Sequence, residues 1–227
     1  MFSASFLISY AEGLSVDDQA VLLADLEGLA AELSDVFIAG EVLDIGGLMN
    51  QGDILLEISF EDQDAYEAAK ATDAWAALKD LLFDAARVDH YEFAAYGDDG
   101  LLHLTDTTES KAHRLLFTHV RDGADPEMLE HAYQMMPFMQ DSIEGFNNSK
   151  ISKVVESEGT QSWDYVFECD YADENVYQGP YLTHPVHVTY VDKFFEPIAK
   201  EYCFVPFLCT SVIASDGPFL ANYADAE

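Results

Sequence analysis

The apolar positions change rhythm several times along the chain, and each change marks a predicted element. Residues 5–10 form an apolar run of strand length, and Ser15 followed by Asp18 makes a capping-box-like start for a helix reaching about residue 33. Val21, Leu22, Leu26, Leu29 and Leu33 recur within that helix close to the 3.6-residue period that gathers them on one face. Strands are predicted over 36–44 and 54–60 around a turn at Gly46-Gly47, helical segments over 62–69 and 73–86, and a closing strand over 90–95. The same order then returns. A strand covers 115–120, a helix opened by Asp125-Pro126 runs to about 139, strands cover 151–157 and 165–171, and helical segments lead to a strand over 205–213. Asp at the cap with Pro in the first turn is a strong helix start, because Pro gives up an N–H that has no partner there.

The recurrence is also one of residues. A shift of 111 lays 53–60 on 164–171, Asp62 on Asp173 and Tyr66 on Tyr177, and the same register puts Phe2 on His113. A constant offset predicts two copies of one β-α-β-β-α-β unit, the ferredoxin-like order of four antiparallel strands with helices on one face. Each sheet leaves one face bare, and two such faces in one chain can cover each other. The expected fold class is therefore α+β, two tandem ferredoxin-like repeats closing into an intrachain barrel of about eight strands, a size whose interior holds side chains or one small ligand. The repeats are placed at 1–97 and 112–227, with the turn-rich segment 98–111 as linker.

Composition narrows the function. The 227 residues hold 43 Asp+Glu against 10 Lys+Arg, a formal charge of −33, while 49% are hydrophobic, enough for a packed core. Such a field repels nucleic acid and anionic lipid, so neither is expected as a partner, and a solvated, solubilising surface is the simplest reading of the acidity. Cys169, Cys203 and Cys209 are odd in number and share no C-x-x-C spacing, which predicts buried thiols rather than disulfides or a zinc knuckle. No basic leader and no apolar run of spanning length is visible, so the chain reads as cytoplasmic. There is no G-x-G-x-x-G, P-loop or G-x-S-x-G.

Five of the seven histidines lie in the second repeat: His113, His119, His131, His184 and His187. At the 111 offset Lys70, Asp73 and Ala76 stand where this repeat has Tyr181, His184 and His187, so one active pocket per chain is expected. The run Tyr181-Leu182-Thr183-His184-Pro185-Val186-His187, with Ala112-His113-Arg114-Leu115-Leu116-Phe117 and Trp163-Asp164-Tyr165-Val166-Phe167-Glu168, resembles the Y-x-x-H-P-x-H segment, first strand and third strand of the stress-responsive dimeric α+β barrel (Dabb) family, in particular its olivetolic acid cyclase-type polyketide cyclases. The likeness covers roughly a hundred residues of the second repeat and only the pattern of the first. It implies Tyr181 and His187 as an acid/base pair, His113 as a further pocket residue, and His184 as a family hallmark that orients the turn. Most family members are dimers of single domains, which leaves pairing of two tandem chains open.

The chemistry stands on the residues as well. Histidine takes up a proton near neutrality and tyrosine remains a donor, so together they can abstract a proton and stabilise the resulting oxyanion without metal or organic cofactor. His184, His119, Tyr133, Met136 and Phe194 are the candidate substrate-binding residues, in a repeat rich enough in aromatics to suit a flat hydrophobic ligand. The opposing reading is that the rings and methionines fill a core and that His and Tyr cap a helix. The expected function is a cofactor-independent lyase or cyclase acting on an aromatic, phenolic or polyketide-like molecule. The alternatives are a non-catalytic barrel that binds a hydrophobic ligand or partner, and a cofactorless monooxygenase.

Overall fold

A computed structural model describes residues 1–44, 52–97, 100–105 and 109–226; the expected turn at Gly46-Gly47 lies outside them. The N-terminal half runs β1 (Phe2–Tyr10), α1 (Val16–Leu33), β2 (Val36–Glu41), β3 (Ile54–Phe60), α2 (Gln63–Lys70), α3 (Asp73–Leu82) and β4 (Val88–Tyr96). After the short β5 (Leu101–Leu104) come β6 (Ala112–Thr118), α4 (Pro126–Met135), β7 (Phe146–Glu158), β8 (Tyr165–Tyr171) and β9 (Cys209–Ala214). The helix starts are those that the caps predict. Ser15 accepts from Asp18 N and Asp125 from Glu127 N, each taking up an amide that the helix cannot satisfy itself.

The strands lie in the order β2-β3-β1-β4-β7-β8-β6-β9, so both halves repeat one antiparallel pattern and meet where β4 pairs with β7. At the other end Val42 bridges Ile213, and Leu43 N donates to Val212 O at 2.8 Å, which brings β2 against β9 and closes the barrel. On the outer face Phe2, Phe6, Ile8, Leu56 and Ile58 pack against Leu22, Leu26, Trp75 and Leu78 of the helices.

Several expectations shift. Pro137 ends the helix expected to reach 139, since it has no N–H to continue the hydrogen-bond ladder, and a 3-10 turn (Pro137–Asp141) follows. The strand expected over 205–213 begins only at Cys209, because Pro206 cannot donate to a ladder. The segment expected to be a linker contains β5, which pairs with β7.

The repeat register also moves by one residue in the first strand. Phe2 pairs with Phe60 and Ala112 with Tyr171, so the counterpart of Phe2 is Ala112, not His113. Side chains on a strand alternate between faces, so this one step sends His113 to the opposite side of the sheet from that expected and turns Arg114 into its place.

The barrel's interior is occupied by the chain itself. The C-terminal 3-10 run Phe219–Ala226 inserts Phe219, whose ring meets His113 edge-on at 5.1 Å, and Tyr223, whose hydroxyl lies 2.6 Å from Ser3 Oγ and 2.9 Å from Glu57 Oε1. The interior, of a size to hold side chains or one small ligand, thus holds this plug. Cys169, Cys203 and Cys209 are free and buried, and no helix among the described residues is long and apolar enough to cross a membrane.

Candidate functional site

Between β8 and β9 the chain makes two π-helical turns, Tyr177–Tyr181 and His187–Val191, separated by His184-Pro185. Pro180 and Pro185 remove two amide donors from this stretch, and the widened turns carry Tyr181 and His187 down onto the outer face of the second half-sheet. They meet Arg114 and Leu116, which point outward from β6. A cavity of about 320 Å³ lies between turns and sheet, with Met136, Val191, Phe195 and Leu208 as its apolar wall and Asp192 and Glu196 also on its lining.

Tyr181 and His187 sit ring against ring, with centroids 4.5 Å apart. The Tyr181 ring is clasped by Tyr177, Phe146 and Tyr171, with centroids 5.5, 5.7 and 5.8 Å away, and its oxygen accepts a 3.0 Å hydrogen bond from Arg114 Nη1. Burial drives the Tyr181 hydroxyl well above its ordinary range despite Arg114, so it remains a donor at all physiological pH. Burial first, and the Arg114 charge second, bring His187 down to about 4, which leaves a neutral imidazole facing the cavity. Asp192 Oδ1 lies 3.4 Å from His187 Nδ1, a nitrogen that makes no hydrogen bond.

Arg114 is 4% exposed and stands on β6 among aromatic rings. Its Nε donates to Thr210 Oγ1 at 3.0 Å, and its guanidinium lies 4.9 Å from the Tyr177 ring centre and 5.1 Å from that of Tyr181. No carboxylate oxygen of the described residues lies within ion-pairing distance of it.

Of the eight candidate residues, the structure brings Tyr181, His187 and Met136 together at this cavity. His113 is on the other side of the sheet. His184 turns its Nδ1 onto Val186 N at 3.2 Å and holds the turn between the two π-helical segments. His119, at the end of its strand, has Nδ1 2.8 Å from Asp164 Oδ2. Tyr133 donates to Ile151 O at 3.2 Å beneath α4, and Phe194 packs with Ala132, Cys203 and Phe204, while its neighbour Phe195 reaches the cavity. Sequence reasoning missed Arg114 and Leu116. Both share the outward face of β6 with Ala112, a face that the expected register turns inward.

A second polar centre fills the barrel. His113 is wedged between Asp170 (Nδ1 to Oδ1, 3.0 Å) and Glu57 (Nε2 to Oε2, 3.3 Å), and Lys150 Nζ is 3.4 Å from Glu168 Oε2, all of them buried. Burial would lower the His113 imidazole, but its hydrogen bonds to Asp170 and Glu57 carry it up to about 10. Burial raises the Glu168 carboxyl to about 8, with Glu57 beside it adding to the rise. Glu57, His113 and Glu168 offer donor atoms within 4.8 Å of one another, the one such group among the described residues. Lys150 and the proton on His113 place positive charge beside these carboxylates.

Comparison with known proteins agrees with this architecture. Residues 112–209 match the family model for the stress responsive A/B barrel domain. Among solved structures, an anthrone oxidase-like protein superposes with a TM-score of 0.60 at 9% identity over 94% of this chain and 90% of its own. A candidate monooxygenase from Lactobacillus acidophilus gives 0.54 at 15% identity over 93% and 91%, and a mutant chlorite dismutase from Candidatus Nitrospira defluvii gives 0.53 at 10% over 100% and 96%. At these identities the likeness is one of fold. No curated protein sequence matches the chain.

Proposed function

We propose that the chain, whose residues 112–209 match the model of the stress responsive A/B barrel domain, is a cofactor-independent lyase or cyclase acting on a small aromatic or polyketide-like molecule. The observation that carries this reading is the contact of the Tyr181 and His187 rings inside an apolar cavity, with the imidazole neutral and the phenol protonated. In this reading 112–227 holds the chemistry, and 1–97 is the scaffold that completes the barrel.

His187 takes a proton from a carbon beside a carbonyl, or from a phenol, and becomes imidazolium. Tyr181 donates its hydrogen bond to the oxygen on which the electron pair comes to rest, and Arg114, donating to the Tyr181 oxygen, makes that hydroxyl a stronger donor. The anion then attacks a second carbonyl carbon of the same molecule or expels a leaving group. The proton held by His187 returns to the new alkoxide or the departing group, so the enzyme ends as it began. The apolar wall keeps water away, so each of these charge interactions acts at low dielectric.

The test is wash-in of deuterium at the acidic C–H of simple aryl β-ketones in D2O, followed by NMR, because it reports proton abstraction whatever the later step. His187→Ala and Tyr181→Phe should each lower the exchange rate by about 10²-fold or more while the fold is retained. Undiminished exchange in folded His187→Ala overturns the acid–base reading. Oxygen consumption in the same vessel would move the assignment to a cofactorless monooxygenase.

A further inference from the structure

Arg114 is a fixed charge inside an apolar wall, and the chain gives it no counter-ion. A guanidinium has five N–H donors. Here Nε is taken by Thr210, and Nη1 by Tyr181 with a long contact to Cys169 Sγ at 4.0 Å, while Nη2 donates to nothing among the described residues. Leaving a charge buried without a partner is costly, and chains ordinarily pair such a group or shed its charge, which arginine cannot do. The pairing is absent although acidic residues outnumber basic ones by 43 to 10. The carboxylates that share the cavity turn elsewhere: Asp192 lies against His187, and Glu196 forms no ion pair with Arg114. The guanidinium is also held flat and aimed. The faces of Tyr177 and Tyr181 fix its plane, and Thr210 fixes its stem.

We propose that the natural ligand of this cavity carries a carboxylate, seated on the free edge of Arg114, with an aromatic or equally apolar body against Leu116, Met136, Val191, Phe195 and Leu208. This names the substrate class of the site proposed above and rests on the same cavity. A carboxylate accepts two parallel N–H bonds from a guanidinium, and the low dielectric of the pocket strengthens them. The long-range field of a chain with charge −33 repels anions, so binding of one reports a local, shaped site.

Binding and catalysis are thereby coupled. Arg114 is one of the two causes that depress His187. A bound carboxylate cancels that charge and raises the proton affinity of the imidazole, so the base gains strength when an anionic substrate is present.

The experiment compares 2,4-dihydroxybenzoate with its carboxamide by thermal shift and by NMR titration of His187. The carboxylate should raise the Tm and move the His187 titration upward from about 4, and the amide should do neither. Arg114→Met should weaken carboxylate binding by more than about tenfold, as loss of a charge-assisted pair requires, and Arg114→Lys should recover part of it. His187→Ala should still prefer the acid to the amide, because that preference belongs to Arg114. Equal binding of acid and amide, no binding of the acid to wild type at millimolar concentration, or full binding to a folded Arg114→Met protein would each overturn the proposal. If His187→Ala binds the acid and still exchanges protons, the acid–base reading fails while the anion site stands.

Discussion

Two histidines a few ångströms from the same sheet titrate in opposite directions, and the difference follows from their partners. His113 is enclosed by Asp170 and Glu57, and His187 by rings and the Arg114 charge. The sign for His113 follows from its raised value of about 10. Its contribution to stability is fully present below the ordinary imidazole value of 6.5 and is lost as pH rises through about 10. The urea midpoint of the wild type should therefore decline between these pH values, and His113→Gln, less stable near neutrality, should show a flatter profile over the same window. A wild-type profile parallel to that of the variant would mean that His113 is neutral in the fold. Lys150 is the other cation of this interior, lying over the Tyr223 ring at 4.0 Å. Lys150→Met removes a charge that holds the Glu168 carboxyl down, so the variant should lose more stability than the wild type as pH rises through about 8, read from chemical denaturation.

At the scale of elements, the seam between β4 and β7 joins the two halves, and one carboxylate ties its end. Glu92 on β4 is buried and accepts from Thr160 N and Oγ1 and from Trp163 Nε1, all in the turn that links β7 to β8. That turn works only because Gly159 has φ of +137 and no side chain: a Cβ there would collide with the Glu92 carboxylate. Gly159→Ala should therefore cost well over about 1 kcal/mol, since conformational strain and collision add. Gly28 is the control. It lies on the exposed side of α1 with open space around it, and Gly28→Ala should stabilise by about 0.5–1 kcal/mol in the same urea titration. A neutral Gly159→Ala would show that the halves are held by the ladder alone. These elements also show what could be read in advance. β3 and β8 were legible to the residue, as were the starts of α1 and α4, because alternation and caps are local signals. The first-strand register was not legible, since Phe2 against His113 and Phe2 against Ala112 score alike in an apolar run and only pairing with β3 and β8 separates them. Tyr181 and His187 were visible in their motif. Arg114 was hidden by that one-residue slip, and the plug by Phe219 and Tyr223 is long-range packing that no local pattern announces.

For the whole molecule the dominant quantity is charge. Only four carboxylates among the described residues are buried, Glu57, Glu92, Glu168 and Asp170, so nearly all of the excess of 33 negative charges lies on or near the surface. Ten basic residues cannot neutralise it. Exposed pairs such as Arg87 with Asp25 and Lys70 with Glu156 contribute little, with a median of about 0–1 kcal/mol each. Folding concentrates like charges that the unfolded chain holds apart, so self-repulsion opposes the compact state. Its range is set by salt: the Debye length is about 30 Å at 0.01 M, comparable with a domain, and about 3 Å at 1 M. The melting temperature should accordingly rise steeply over the first few hundred millimolar of NaCl and then flatten. The interior network, shut away from ions by the tail, should keep the His113-dependent slope with pH at every salt concentration. KCl and NaCl at equal ionic strength should act alike if screening is the cause. A clear preference for one cation would instead place bound ions among the surface carboxylates, and a melting temperature indifferent to salt would mean that the acidic groups are spread too widely to repel.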